Sequence, residues 1–229
     1  MALIPKGVAM HVIAIDGPAG VGKSTTARQL AQMLTELYDE AWYYLDTGSA
    51  YRGIAVAASV AGIDLDNPEV LAAFAGNSAI LLSAGEVCQV GPLNVSDLLR
   101  SAEASSGASR VATNNAVRQQ LNKVFRSFAA SCHVVAEGRD MGTVVFPSAV
   151  LKLYLTASPR VRAERRYLQK PTEGTVDAIE AAIAERDHRD STRADAPLME
   201  ADGAVVVDTG YLTTGQVCQR ICELLHQRL

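Results

Sequence analysis

At 229 residues and 24.3 kDa the chain has the length of one sizeable domain with a subdomain inserted, and 48% hydrophobic with 20% charged residues excludes a fibrous repeat or intrinsic disorder. Twenty-one basic and twenty-five acidic residues give a net charge of −4, and aromatic residues make up only 5%. Neither a global positive field for a polyanion nor a set of stacking platforms for single-stranded nucleic acid is therefore available, and any anion site must be local.

In chain order, the apolar run at 8–15 contains His11, ends at Asp16 and lacks a small-residue cleavage site, so it reads as a strand and not a signal peptide. Strand patterns follow at 11–16, 42–46, 133–137, 150–155 and 204–208, separated by helical periodicity such as Ala27, Leu30, Ala31, Leu34 and Leu37, or Val217, Ile221, Leu224 and Leu225. Strands alternating with helices predict an α/β fold with a parallel sheet covered on both faces. Between the second and third strands, residues 79–100 hold short β-rich pieces broken by Gly85 and Gly91–Pro92 and predict a small antiparallel insert. Residues 102–130 read as helix interrupted at 113–115, and 169–175 reads as a mobile lid segment between two Arg-rich helices. Cys88, Cys132, Cys218 and Cys222 form no CxxC pair, which fits reduced thiols and a cytoplasmic location. No apolar segment approaches membrane-spanning length.

The sharpest motif is Gly17-Pro18-Ala19-Gly20-Val21-Gly22-Lys23-Ser24, which satisfies GxxxxGK[ST] between a predicted strand and a predicted helix. Glycines let backbone N–H groups curl around a phosphate, the helix N-terminus adds partial positive charge, Lys23 reaches the β- and γ-phosphates, and the Ser24 hydroxyl can ligate Mg²⁺. The loop implies a nucleoside triphosphate. It does not choose among GTPases, motors and small-molecule kinases, although no NKxD guanine reader or DxxG switch is present.

Three further clusters follow predicted strands or close a helix before one: 45–52 (LDTGSAYR), 137–143 (EGRDMGT) and 185–193 (ERDHRDSTR). Each alone also reads blandly, as a helix cap at Asp46, a turn at Gly138 and a solvated helix end at 186–193. Together they offer the arginines and carboxylates that transfer of a phosphoryl group to a second phosphate requires. The four histidines match no metal-ligand spacing, and no nucleophile elbow is present.

The runs GPAGVGKST, LDTGSAYR, EGRDMGTVVFP and RDHRDSTRADAPL, followed by VVVDT, resemble bacterial cytidylate kinases, the (d)CMP kinase branch of the nucleoside monophosphate kinases, over nearly the whole chain. The resemblance implies a three-layer P-loop NTPase-type fold with a five-stranded parallel sheet, a core of 8–60, 130–160 and 200–229, a monophosphate-binding insert at about 61–129 and a lid at about 160–195. It implies transfer of the γ-phosphate of MgATP to CMP or dCMP by a cytoplasmic enzyme, expected as a monomer, with no nucleic-acid or membrane partner. Thr47, Arg52, Arg118 and Arg139 would hold the acceptor, with Ser109, Arg118 and Asp140 reading cytosine and Arg186, Asp190 and Arg193 near its sugar and phosphates. Thr47 stands where many members have Ser and keeps the hydroxyl. Arg139, Arg165 and Arg193 join Lys23 as the catalytic cations. Residues 17–24 with Thr25, Arg162 and Arg166 would bind ATP, and Ser24 with Glu137 would hold Mg²⁺. Two alternatives stay open: Glu137 as a carboxylate that orients Arg139, and Arg162, Arg165 and Arg166 as a basic helix face beside Glu164. The nearest rivals are a kinase for UMP or shikimate and a nucleotide-dependent regulatory or nucleic-acid-binding module that uses the phosphate loop as a switch.

Overall fold

A computed structural model describes residues 10–227, so Val8 and Ala9 of the first apolar run lie outside the described residues. In chain order the elements are β1 (Val12–Asp16), α1 (Lys23–Tyr38), β2 (Trp42–Asp46), α2 (Thr47–Val60), α3 (Pro68–Asn77), β3 (Ile80–Ser83), β4 (Glu86–Val90), β5 (Leu93–Asn94), α4 (Ala102–Val111), α5 (Asn115–Ala129), β6 (His133–Glu137), β7 (Leu151–Thr156), α6 (Pro159–Gln169), α7 (Val176–Thr192), β8 (Val205–Asp208) and α8 (Thr214–His226). The five long-sheet strands lie within a residue or so of their predicted positions, because runs such as VIAID and HVVAE are apolar along nearly their whole length. All five residues of β6 are buried, as a strand covered on both faces requires.

The fold is α/β with a five-stranded sheet in the order β2-β6-β1-β7-β8, and β1–β6, β1–β7 and β7–β8 pair in parallel. By packing, the chain divides into two compact units. One comprises His11–Trp42 with residues 133–227. There α1 packs on α8 and β6, and α6 and α7 form a hairpin around Ala163, Ile179 and Ile183. The stretch 169–175 is the hairpin's connection, where Pro171–Glu173 makes a single 3₁₀ turn and Thr175 caps α7 through the N–H of Ala178.

The other unit, Tyr43–Cys132, begins earlier in the chain than the expected insert because α2 packs against α4 and β4. Strands β3, β4 and β5 form the expected antiparallel sheet. Gly53 on α2 allows this sheet close, since a Cβ there would lie 2.9 Å from Val87. The break between α4 and α5 falls where Asn114 accepts from the N–H groups of Ala116 and Val117, a cap that competes with continuing the helix. Helix α3 has no counterpart among the predicted elements, yet its start carries a signal: Asn67 caps it and Pro68 occupies the first turn.

The β3–β4 hairpin turns through Ala84 and Gly85, both at positive φ (49° and 83°), the pattern of a type I′ turn. The Gly85 carbonyl accepts from the Asp46 N–H at 3.0 Å, and a Cβ on Gly85 would stand 1.7 Å from the Tyr44 carbonyl oxygen. No side-chain rotation relieves a clash with backbone. Gly85→Ala should therefore cost about 2 kcal/mol or more, read as a lowered denaturant midpoint. An unchanged midpoint would mean that the hairpin does not sit on the end of β2.

Candidate active site

In the phosphate-loop unit, β1 delivers the chain into the loop at Asp16, and Gly20 and Gly22 adopt φ of 74° and 96° on either side of Val21. Alternation of this kind forms backbone nests that accept anions. Helix α1 then begins at Lys23 with no side-chain cap and no acidic residue in its first turn. Among the described residues the other seven α-helices are each capped by a side chain, from Asp46, Asn67, Ser101, Asn114, Ser158, Thr175 and Thr213. The orphan N–H groups of α1 thus stay available to an external anion.

Lys23 is buried, and its Nζ donates to the carbonyls of Gly17 and Pro18, both at 2.8 Å. Burial, with the nearby charge of Arg139 adding to it, pulls its pKa down to about 7. The Ser24 hydroxyl donates to Glu137 Oε1 at 2.6 Å. A hydroxyl beside a carboxylate is the hard-oxygen donor chemistry Mg²⁺ favours, and the phosphates and water complete such a site. The residues fit the ion. No cluster of three or more His, Cys, Asp or Glu side chains fit to hold a metal alone occurs among the described residues.

Most of the predicted arginines of this unit are held by oxygen. Arg139 Nε donates to Asp190 Oδ2 at 2.8 Å, and Arg193 lies 3.7 Å from Asp140 Oδ1. Burial opposes ionisation of Asp190, but Arg139, supported by Arg186 and Arg193, holds its carboxyl below the ordinary range. Arg162 is buried and donates to Asp187 Oδ2 at 2.5 Å, to the Ala19 carbonyl at 2.9 Å and to the Ala157 carbonyl at 3.0 Å. Arg165 donates to the Thr209 carbonyl at 2.5 Å, while Arg166 is half-buried on the same helix and Thr25 is exposed on α1.

Three residues without a predicted role are part of this constellation. Asp187 accepts from the Ala19 N–H at 3.0 Å, Thr209 donates its hydroxyl to the Val21 carbonyl at 3.0 Å, and Asp16 accepts from the N–H groups of Met141 and Gly142. Burial raises the pKa of Asp16 to about 6, against the pull of those two N–H groups. A polar residue closing the apolar strand VIAID was the available signal for it. Nothing in sequence spacing signals the other two.

In the second unit, Asp46 caps α2 by accepting from the Ser49 N–H at 2.9 Å and pairs with Arg52 at 2.8 Å. Thr47 is buried at the start of α2. Arg118 is buried on α5 with its guanidinium carbon 5.8 Å from the centroid of the Tyr51 ring, and Ser109 is half-buried on α4.

Residues 13–227 match the family model described as cytidylate kinase. Curated relatives named cytidylate kinase include those of Pseudomonas paraeruginosa PA7, 42% identical over 96% of this chain and 97% of that one, and of Listeria monocytogenes EGD-e, 39% identical over 95% and 96%. That of Shewanella frigidimarina NCIMB 400 is 38% identical over 95% of this chain and 96% of its own. No helix among the described residues is long and apolar enough to cross a membrane.

A lysine whose pKa lies at about 7 in the free protein is largely neutral at pH 8.5 and regains its proton beside phosphates. Binding of a nucleoside triphosphate should then take up close to one proton at pH 8.5 and almost none at pH 6, and its affinity should fall as pH rises above 7. Calorimetry in two buffers of different ionisation enthalpy measures the uptake. The same linkage makes the charged lysine a cost to stability below pH 7, relieved as pH rises toward the unfolded value of 10.5. Zero uptake at pH 8.5 would show that Lys23 stays charged in the free protein.

Proposed function

The chain belongs to the cytidylate kinase family, and from that premise we propose that it transfers the γ-phosphoryl group of ATP to CMP or dCMP, releasing ADP and the pyrimidine diphosphate. The observation that carries the reading is the uncapped N-terminus of α1 with buried Lys23, in a unit where Arg139 and Arg162 are held by carboxylates.

Phosphoryl transfer between two phosphates has a loose, in-line transition state, so the protein contributes position and charge neutralisation more than covalent chemistry. Lys23, carrying its proton, balances charge on the donor phosphates, and the loop N–H groups fix their orientation. Ser24 and Glu137 would hold Mg²⁺, which when bound neutralises charge on the β- and γ-phosphates. Arg139, Arg186 and Arg193 serve the acceptor phosphate, and Asp190 keeps Arg139 aimed and charged. Arg162, Arg165 and Arg166 serve the donor from α6. Thr47, Arg52, Ser109 and Arg118 would receive the monophosphate and its base. The cytosine N4 amino group is a donor suited to the Asp140 carboxylate, whereas uracil presents O4, an acceptor.

A coupled ADP-release assay across CMP, dCMP, UMP, AMP and shikimate tests the reading. Turnover should be highest with CMP or dCMP, and Lys23→Ala should stay folded while losing about a hundred-fold or more in kcat. Highest turnover with shikimate or AMP, or near-normal turnover of folded Lys23→Ala, would overturn it.

The connection 169–175 is assigned as a lid that orders over the bound nucleotides, supported by its Pro, Gly and polar composition and its place between two Arg-bearing helices. Amide exchange there should slow when a bisubstrate analogue binds. Exchange that does not change would leave it a passive loop.

A further inference from the structure

Ala19 directly precedes Gly20 in the phosphate loop, and both of its backbone polar groups are taken by the α6–α7 hairpin. Its N–H donates to Asp187 Oδ1 of α7 at 3.0 Å, and its carbonyl accepts from Arg162 of α6 at 2.9 Å. The two side chains also pair with each other, Arg162 with Asp187 Oδ2, so the carboxylate gives one oxygen to the loop and the other to the arginine. Arg162 is buried and anchored a third time on the carbonyl of Ala157, just before α6. The hairpin packs closely on the same point of the loop: a Cβ on Gly20 would stand 3.4 Å from Arg162 Cβ and 3.7 Å from Ile183 Cδ1.

We infer that Asp187 and Arg162 form a positioning pair for the phosphate donor: by holding the N–H and the carbonyl of Ala19 together, they fix the two peptide planes through which the chain enters the nest around Val21. The Ala19 carbonyl and the Gly20 N–H belong to one trans peptide and point in opposite directions. A carbonyl held by Arg162 therefore turns the Gly20 N–H away from α6, and the first donor of the nest is aimed before any phosphate arrives. The bonded N–H of Ala19 stands ahead of that nest, so Asp187 steadies the loop without filling it. Pairing matters as much as the bonds. Asp187 alone would set a negative charge beside a loop meant for phosphates, and Arg162 alone would be a buried cation held only by carbonyls, whereas together they grip the loop with no net charge. The inference deepens the donor role proposed for α6 and rests on it.

The test is a double-mutant cycle of Asp187→Ala and Arg162→Ala, read as the affinity for MgATP by calorimetry without acceptor and as KM for ATP, KM for CMP and kcat. Each single variant should weaken MgATP binding and raise KM for ATP by about ten-fold, the scale of one hydrogen bond to a charged group, and leave KM for CMP within about two-fold. The double variant should bind MgATP no more weakly than Arg162→Ala, because removing a stranded carboxylate adds no further loss. Additive losses, or equal rises in KM for ATP and for CMP, would overturn the inference and leave the pair a support of the hairpin. Tighter MgATP binding in Asp187→Ala would also overturn it, since the carboxylate would then be a competitor of the phosphates for the Ala19 N–H. Failure of the unaltered protein to bind MgATP would overturn the donor reading and the inference together, whereas unchanged MgATP affinity in both single variants overturns the inference alone. Should Arg162→Ala fail to fold, Arg162→Lys, which keeps the charge but lacks the fork that reaches Ala19, Ala157 and Asp187 at once, is judged by the same criteria.

Discussion

The cost of burying positive charge organises the phosphate-loop unit. Lys23 is only 5% exposed and Arg162 4%, and a cation removed from water without a partner is expensive. The chain meets that cost in two ways. Lys23 rests on two loop carbonyls and gives up part of its basicity, while Arg162, Arg139 and Arg193 each have a carboxylate, those of Asp187, Asp190 and Asp140. A phosphate received there, as proposed, would exchange one set of oxygens for another, and its net free energy would be a difference between two large terms. A chain with a net charge of −4 can bury several cations in this way, because its acidic surplus includes the partners that hold them in place.

The same constraint explains where those carboxylates lie. Asp16 and Glu137 end parallel strands that adjoin in the sheet, the end at which open α/β sheets bind ligands. Asp187 and Asp190 are three residues apart on α7, so one face of that helix reaches both the loop, through the Ala19 N–H and Arg162, and Arg139 after β6. A single helix face therefore links the loop that would hold the donor with the turn after β6. The charge run 185–193, which by pattern alone reads as a solvated helix end, is partly buried for this reason, with Asp190 only 9% exposed.

Legibility in the sequence followed the range of the interactions involved. The long-sheet strands, the antiparallel insert and the α4–α5 break rest on local signals, namely apolar runs, glycine turns and an Asn cap. The phosphate loop is eight contiguous residues, and its backbone carries the chemistry. Helix α3 had an Asn-Pro start but only a weak apolar face, with Leu71 and Ala75 alone buried. The bonds of Asp187 to Ala19, of Thr209 to Val21 and of Asp16 to Met141 and Gly142 span between 125 and 188 positions, and no spacing rule connects them. Sequence supplied the inventory of arginines and carboxylates, whereas the pairing of Arg139 with Asp190 and of Arg162 with Asp187 required the fold.

Two aspartates show how capping decides what a site offers. Asp46 caps its own helix with one oxygen and holds Arg52 with the other, so its negative charge is spent within the unit and the guanidinium of Arg52 is kept in a fixed orientation. The bland reading of Asp46 as a cap and the functional reading of Arg52 are thus one arrangement. Asp140 differs: the turn that follows it takes its cap from Asp16 on β1, and its own carboxylate lies 3.7 Å from Arg193. A self-capping aspartate fixes its partner cation beside its own helix, whereas the turn after β6 draws its cap from a residue more than a hundred positions away.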